Sequence, residues 1–200
     1  VNGAVEVAGA AGLGIGLGVI TGLPLGVVNV SIFDAATAGN RSFAVRLGLG
    51  GALADSVHAA LAFVGVGHII TQRPQWTRVM AIAAATLIVG YALIAWRKRG
   101  RKREHHGHGL VTGVLLTLPN PGALAAWVAV ATSVWPQISL ANALILATGV
   151  GVGSATWFYL LATWVSKIRR DHAALRIVPQ IALVCLVGIA AYGLVRAFTA

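Results

Sequence analysis

Apolar runs long enough to cross a bilayer follow one another almost without pause from residue 7 to residue 198. A helix needs about 20 residues to span about 30 Å of hydrocarbon, and six stretches reach that length, at about 7–33, 43–70, 79–96, 110–135, 140–165 and 174–198. They use up nearly all of the 200 residues, so a single domain over 1–200 is expected and no soluble domain of useful size remains. Composition agrees: 58% of residues are hydrophobic, only 10% are charged, and mean hydropathy is +0.83. That is too little polar surface to cover a water-soluble globule. The expected class is an all-α polytopic membrane protein.

Two of the runs are interrupted, at Gly22-Leu23-Pro24-Leu25-Gly26 and at Leu118-Pro119-Asn120-Pro121-Gly122. Proline removes a backbone donor and clashes with the preceding turn. Inside hydrocarbon the freed backbone groups must be satisfied by protein or face a cavity. Interruptions at matching places in two halves of a chain point to a transport site. Span two also has a counterpart in span five: Gly48-Leu49-Gly50-Gly51-Ala52-Leu53-Ala54-Asp55 against Gly149-Val150-Gly151-Val152-Gly153-Ser154-Ala155-Thr156, at about the same offset of 100 residues as the breaks. Three spans per copy is an odd number, so the second copy enters the membrane from the opposite side. The expected architecture is six transmembrane helices in two inverted three-helix repeats with helices 1 and 4 broken. Repeat one covers about 7–96, a basic loop 97–109, and repeat two 110–198. The two breaks are expected to meet near the bilayer centre, close to Asp55.

Lys and Arg in short loops set orientation. Twelve fall after spans one, three and five (Arg41, Arg46, Arg97, Lys98, Arg99, Arg101, Lys102, Arg103, Lys167, Arg169, Arg170, Arg176) and three on the other side (Arg73, Arg78, Arg196). Both termini are therefore expected outside the cytoplasm. The formal charge of +10 is mostly this bias, directed at anionic lipid headgroups, and no folded reader of nucleic acid fits. The first run lacks a basic leader and outlasts a signal-peptide core, so it reads as a span. Cys185 is the single cysteine, which excludes a disulfide and a CxxC redox pair within the chain.

Asp55 is the one carboxylate well inside a span. An Asp at the centre of a membrane helix costs about 2.5–3.5 kcal/mol on insertion scales, so it should face the bundle interior or water, where it either exchanges a proton or serves as a structural, hydrogen-bonded carboxyl. His58, three residues on, shares its helix face and either relays that proton or holds the carboxylate in place. Each break leaves half-helix ends, and an N-terminal end suits a substrate carboxylate. Asn29 and Ser31 follow the first break and Asn120 sits in the second; they hydrogen-bond a substrate or satisfy the broken backbone. Trp127 and Trp157 lie inside spans and line a cavity or pack. Trp76, Trp96, Trp135 and Trp164 mark span ends. Gly12, Gly14, Gly16, Gly18, Gly149 and Gly153 give GxxxG spacings for close packing within the bundle or a homodimer seam. No phosphate loop, zinc-protease signature or Ser-His-acid set appears, so no enzyme activity, catalytic residue, cofactor or resident metal is expected.

The six spans, the Pro-Gly break, the Gly-rich second span with Asp55, the basic loop, and Asn120-Pro121 together resemble the LysE/RhtB family of amino-acid exporters over essentially the whole chain. The resemblance implies secondary export of amino acids or similar small metabolites across the bacterial inner membrane, driven by proton antiport. It carries a central site onto Gly22, Pro24, Gly26, Asp55, Asn120 and Pro121. Two departures bear on the cargo: the first break has one proline where many relatives have two, and Gly122 stands where many carry Lys. Two alternatives stay open. One is a divalent-metal exporter of the same superfamily capturing its ion with His105, His106 and His108; the other is a membrane scaffold with no flux.

Overall fold

The structure, a computed structural model, describes residues 2–23, 26–66, 107–135 and 138–167, together with isolated positions between 69 and 93 and between 184 and 195. Pro24, His68, Trp96, His105, His106 and Cys185 lie outside the described residues, as does most of the third and sixth expected spans. All assigned elements are helices: α1 (Asn2–Gly22), α2 (Val27–Thr37), α3 (Arg41–Phe63), α4 (Gly109–Thr117), α5 (Pro121–Val134) and α6 (Leu140–Lys167). Among the described residues α1 and α6 are each long and apolar enough to cross a membrane, and α4 with α5 makes a third candidate, bent by 70°. Helix α3 has 23 residues, but Arg41, Arg46 and Asp55 and its run of Gly, Ala and Ser make it less apolar.

Local chemistry explains the joints. Helix α2 ends in a Schellman motif: Asn40 N–H donates to Ala35 C=O and Gly39 N–H to Ala36 C=O, both at 3.0 Å. The motif needs a left-handed residue, which Gly39 supplies at φ 87°. Asn40 then caps α3, its side chain accepting from Phe43 N–H at 3.1 Å. Helix α5 opens on Asn120, whose Oδ1 accepts from Gly122 N–H (3.0 Å) and Ala123 N–H (3.3 Å), with Pro121 at the first helical position, where its missing donor costs nothing. Ser139 accepts from Asn142 N–H at the start of α6 (3.3 Å).

The outer faces are apolar, and the packed faces mix apolar side chains with small and polar ones. Val5, Ile15, Ile20, Leu53, Leu115, Leu144 and Val152 are exposed, whereas Asn29, Ser31, His58, Asn142 and Ser154 are buried beside alanine and glycine. Lipid tails give helices no hydrophobic drive to associate, so close backbone packing and interhelical hydrogen bonds must do it. Gly14 and Gly18 of α1 lie against α6, where a Cβ would strike the Leu146 and Val150 carbonyl oxygens, and Gly153 lies against Ile15 in return. Gly109 and Gly113 of α4 lie in the same way against Phe43 and Leu47 of α3, and Gly50 against Leu110. Two long helices thus each receive one short-spaced glycine pair.

These contacts fix directions. Contact numbers rise together along α1 and α6 and along α4 and α3, so both pairs are parallel. Gly48 meets Phe158 while Ser56 meets Gly151 and donates to Ala147 C=O (2.8 Å), so α3 and α6 are antiparallel. Helices α1 and α4 consequently run in opposite senses. The register differs from a single offset of about 100 residues: slightly less relates Gly14 and Gly18 to Gly109 and Gly113, and slightly more relates Gly50 to Gly153. Length accounts for part of the difference, since α5 has 14 residues where α2 has 11, and the joint after α5 and the first turns of α6 account for the rest.

Candidate functional site

The first break brings together Gly22, Asn29 and Trp157. Asn29 Nδ2 donates to the Gly22 carbonyl across the break (2.8 Å), and Asn29 Oδ1 accepts from Trp157 Nε1 (3.2 Å). A Cβ on Gly22 would lie 2.8 Å from the Trp157 ring, so the close approach of the indole excludes a side chain there. Trp157 also meets Trp164 edge to face, centroids 6.3 Å apart. Gly26 precedes α2 in extended conformation (φ −99°, ψ 177°) and offers the helix no side-chain cap, although Val27, Val28 and Asn29 are buried. Ser31 donates to Val27 C=O of its own helix (2.7 Å).

The second break is held by His58 and Asn120. His58, 1% exposed, bonds the Leu118 carbonyl through Nε2 at 3.0 Å. Asn120 spends its Oδ1 on the first N–H groups of α5. Replacing a cap of this kind with Ala typically costs about 1 kcal/mol. Asn120→Ala is accordingly expected to lower the thermal midpoint of the detergent-solubilised protein, and Asn120→Asp to restore it.

Asp55 lies one helical turn before His58 on α3, half-buried, with its carboxyl hydrogen-bonded to the Ser154 side chain of α6. Ser154 spends its one hydroxyl proton on Gly18 C=O at 3.2 Å, so toward Asp55 its oxygen accepts from the protonated carboxyl, and the contact ties Asp55 to α6 and through it to α1. The breaks do not share one level. Across the antiparallel α3–α6 pair, Trp157 stands opposite about residue 49 of α3, and His58 is about nine residues further; at 1.5 Å per residue the breaks are about 14 Å apart along the bundle. The second break lies one turn of α3 from Asp55, through His58, and the first lies further along the bundle, so the two do not both meet beside Asp55 as expected.

Trp127, 4% exposed, packs in an apolar cluster with Ala10, Ala59, Phe63, Leu146 and Val150, apart from either break. His108 precedes α4 and gives it no side-chain cap, and among the described residues no group of three His, Cys, Asp or Glu could hold a metal. Two features escaped the sequence reading. Arg41 donates to Tyr159 Oη (3.2 Å) and Thr163 Oγ1 (3.1 Å), joining the start of α3 to the end of α6. Thr117, 8% exposed beside the second break, has no hydrogen-bond partner for its hydroxyl among the described residues. Ser154 and Thr117 carried no signal, being small polar residues among many in apolar helices.

Comparison with known proteins adds one result. No curated protein and no solved structure matches the chain. The profile of the LysE type translocator family matches residues 19–196, which take in both breaks, Asp55 and all six helices in whole or part. On that match the chain belongs to the LysE type translocator family and is a membrane exporter by family.

Proposed function

We propose that this protein is a secondary transporter that exports amino acids or similar small metabolites from the bacterial cytoplasm across the inner membrane by proton antiport. The observation that carries the reading is the pair of helix breaks set about 14 Å apart along the bundle, with the half-buried carboxyl of Asp55 between their levels. Broken helices in a bilayer belong where backbone lines a solute path, and the family supplies translocation.

Each proposed site residue then has a role. Gly22, Pro24 and Gly26 shape the first opening, and the uncapped N-terminus of α2 receives a carboxylate. Asn29 and Trp157 support that opening, while Asn120 and Pro121 shape the second. Trp127 closes the wall behind α5, and His58 positions or relays the proton held by Asp55. The antiparallel sense of α1 and α4 and the reciprocal glycine seams support two inverted three-helix repeats that rock against one another. Orientation by basic loops puts both termini outside the cytoplasm, with anionic lipids against Arg97 to Arg103. Gly12 and Gly16 have nothing within 4 Å among the described residues; a second copy of the chain fits there as a homodimer.

Comparing metabolites in cells with and without the protein tests the reading. Loss of the protein is expected to raise one or a few small zwitterions inside the cell, and overproduction to raise them in the medium. A change confined to metal tolerance, or no solute change with the protein present in the membrane, would overturn it.

A further inference from the structure

The geometry points to an ammonium subsite at the second break, formed by His58 Nδ1 and the Thr117 hydroxyl; this deepens the amino-acid reading and rests on it. The Leu118 carbonyl can only accept, so His58 Nε2 carries the proton in that 3.0 Å bond. In the neutral imidazole Nδ1 is then a lone-pair acceptor. It is buried and has no hydrogen-bond partner among the described residues, and the same holds for Thr117 Oγ1, on the residue next to Leu118. Two unpartnered polar atoms at one buried joint are costly, and both accept from a donor.

The surrounding polarity selects a cationic donor. Thr117 ends α4, and the carbonyl end of a helix carries about half a negative charge. The opposing positive end, the N-terminus of α5, is already occupied by the Asn120 side chain. Asp55 lies one turn from His58 on the same face of α3, with Cβ atoms about 5–6 Å apart. The second break is thus acceptor-rich, while the first presents the N-terminus of α2 with no side-chain cap. Their separation of about 14 Å exceeds the amine-to-carboxylate distance of an amino acid, so the two ends of a zwitterion are read at successive stations. At the second, the ammonium and the proton compete for the charge of Asp55.

The test uses the full chain labelled with nitrogen-15 histidine in detergent micelles, titrated with ethylammonium chloride, sodium chloride and sodium propionate. The His58 resonances are identified by their absence in His58→Gln. Ethylammonium is expected to shift the Nδ1 signal saturably, while sodium chloride and propionate do not. Thr117→Val, close in shape, is expected to raise the half-saturation concentration about tenfold, the loss of one hydrogen bond to a charged group. No saturable shift, an equal shift with sodium chloride, or an unaltered Thr117→Val titration would overturn the subsite. Failure of the metabolite comparison with an intact ethylammonium titration would remove the transport reading and leave the subsite.

Discussion

Asp55→Asn is expected to reduce proton-driven export to the level of protein-free liposomes while leaving solute-for-solute exchange running. The substitution is nearly isosteric and keeps a partner for Ser154, so the joint between α3, α6 and α1 survives. What it removes is the ability to gain and lose a proton. An ionisable group inside a membrane helix is costly and is kept where the pathway uses its charge. Asp55→Glu keeps the titrating group on a longer stem and is expected to retain part of the coupled rate. Coupled export at the wild-type rate in Asp55→Asn would remove Asp55 from the mechanism.

The second large effect is structural. Gly18→Val is expected to abolish recovery of folded, monodisperse protein, whereas Gly16→Val, two residues away, is expected to leave it unchanged. A Cβ at Gly18 would strike the Val150 carbonyl and come within 2.9 Å of Ser154 N, while Gly16 has nothing within 4 Å among the described residues. Overpacking into side chains costs about 1–3 kcal/mol; here the obstacle is helix backbone, which cannot rotate away. Exposed substitutions fall within about 0.5 kcal/mol. Size-exclusion profiles after mild heating in detergent read the difference. If the two variants behave alike, α1 does not pack on α6 through Gly18. A change in Gly16→Val confined to the dimer fraction would mark the outer face of α1 as the homodimer seam.

Much of this arrangement was legible in the residues. Proline within apolar runs marked both breaks, since no side-chain context restores a missing N–H, and Asn120-Pro121 reads as a cap followed by a first-turn proline. The glycine pairs announced close packing, and their alternation let one sequence, Gly12 to Gly18, hold an internal seam and an open face at once. The partners were not legible. That Gly14 and Gly18 meet α6 and Gly109 and Gly113 meet α3 depends on which helices lie side by side, which period alone does not encode. The same holds for Asn29, whose reach back to Gly22 and across to Trp157 depends on the angle between α1 and α2. Helix α1 begins at Asn2 and not near residue 7, because nothing in Asn2 to Glu6 stops a helix and Glu6 accepts from Asn142 of α6 (3.3 Å). The glycine seams pair at offsets on either side of 100, a difference that matching breaks and Gly-rich runs at about 100 does not resolve.

The central claim is that solute leaves as protons enter through the path between the two breaks. The most direct measurement is proton movement in liposomes holding the purified protein and a pH-sensitive dye, preloaded with a mixture of amino acids and diluted into solute-free buffer. The account predicts acidification of the interior as amino acids leave, absent from protein-free liposomes and from liposomes holding Asp55→Asn. Amino-acid efflux with no change in internal pH, or the same acidification with Asp55→Asn, would contradict it.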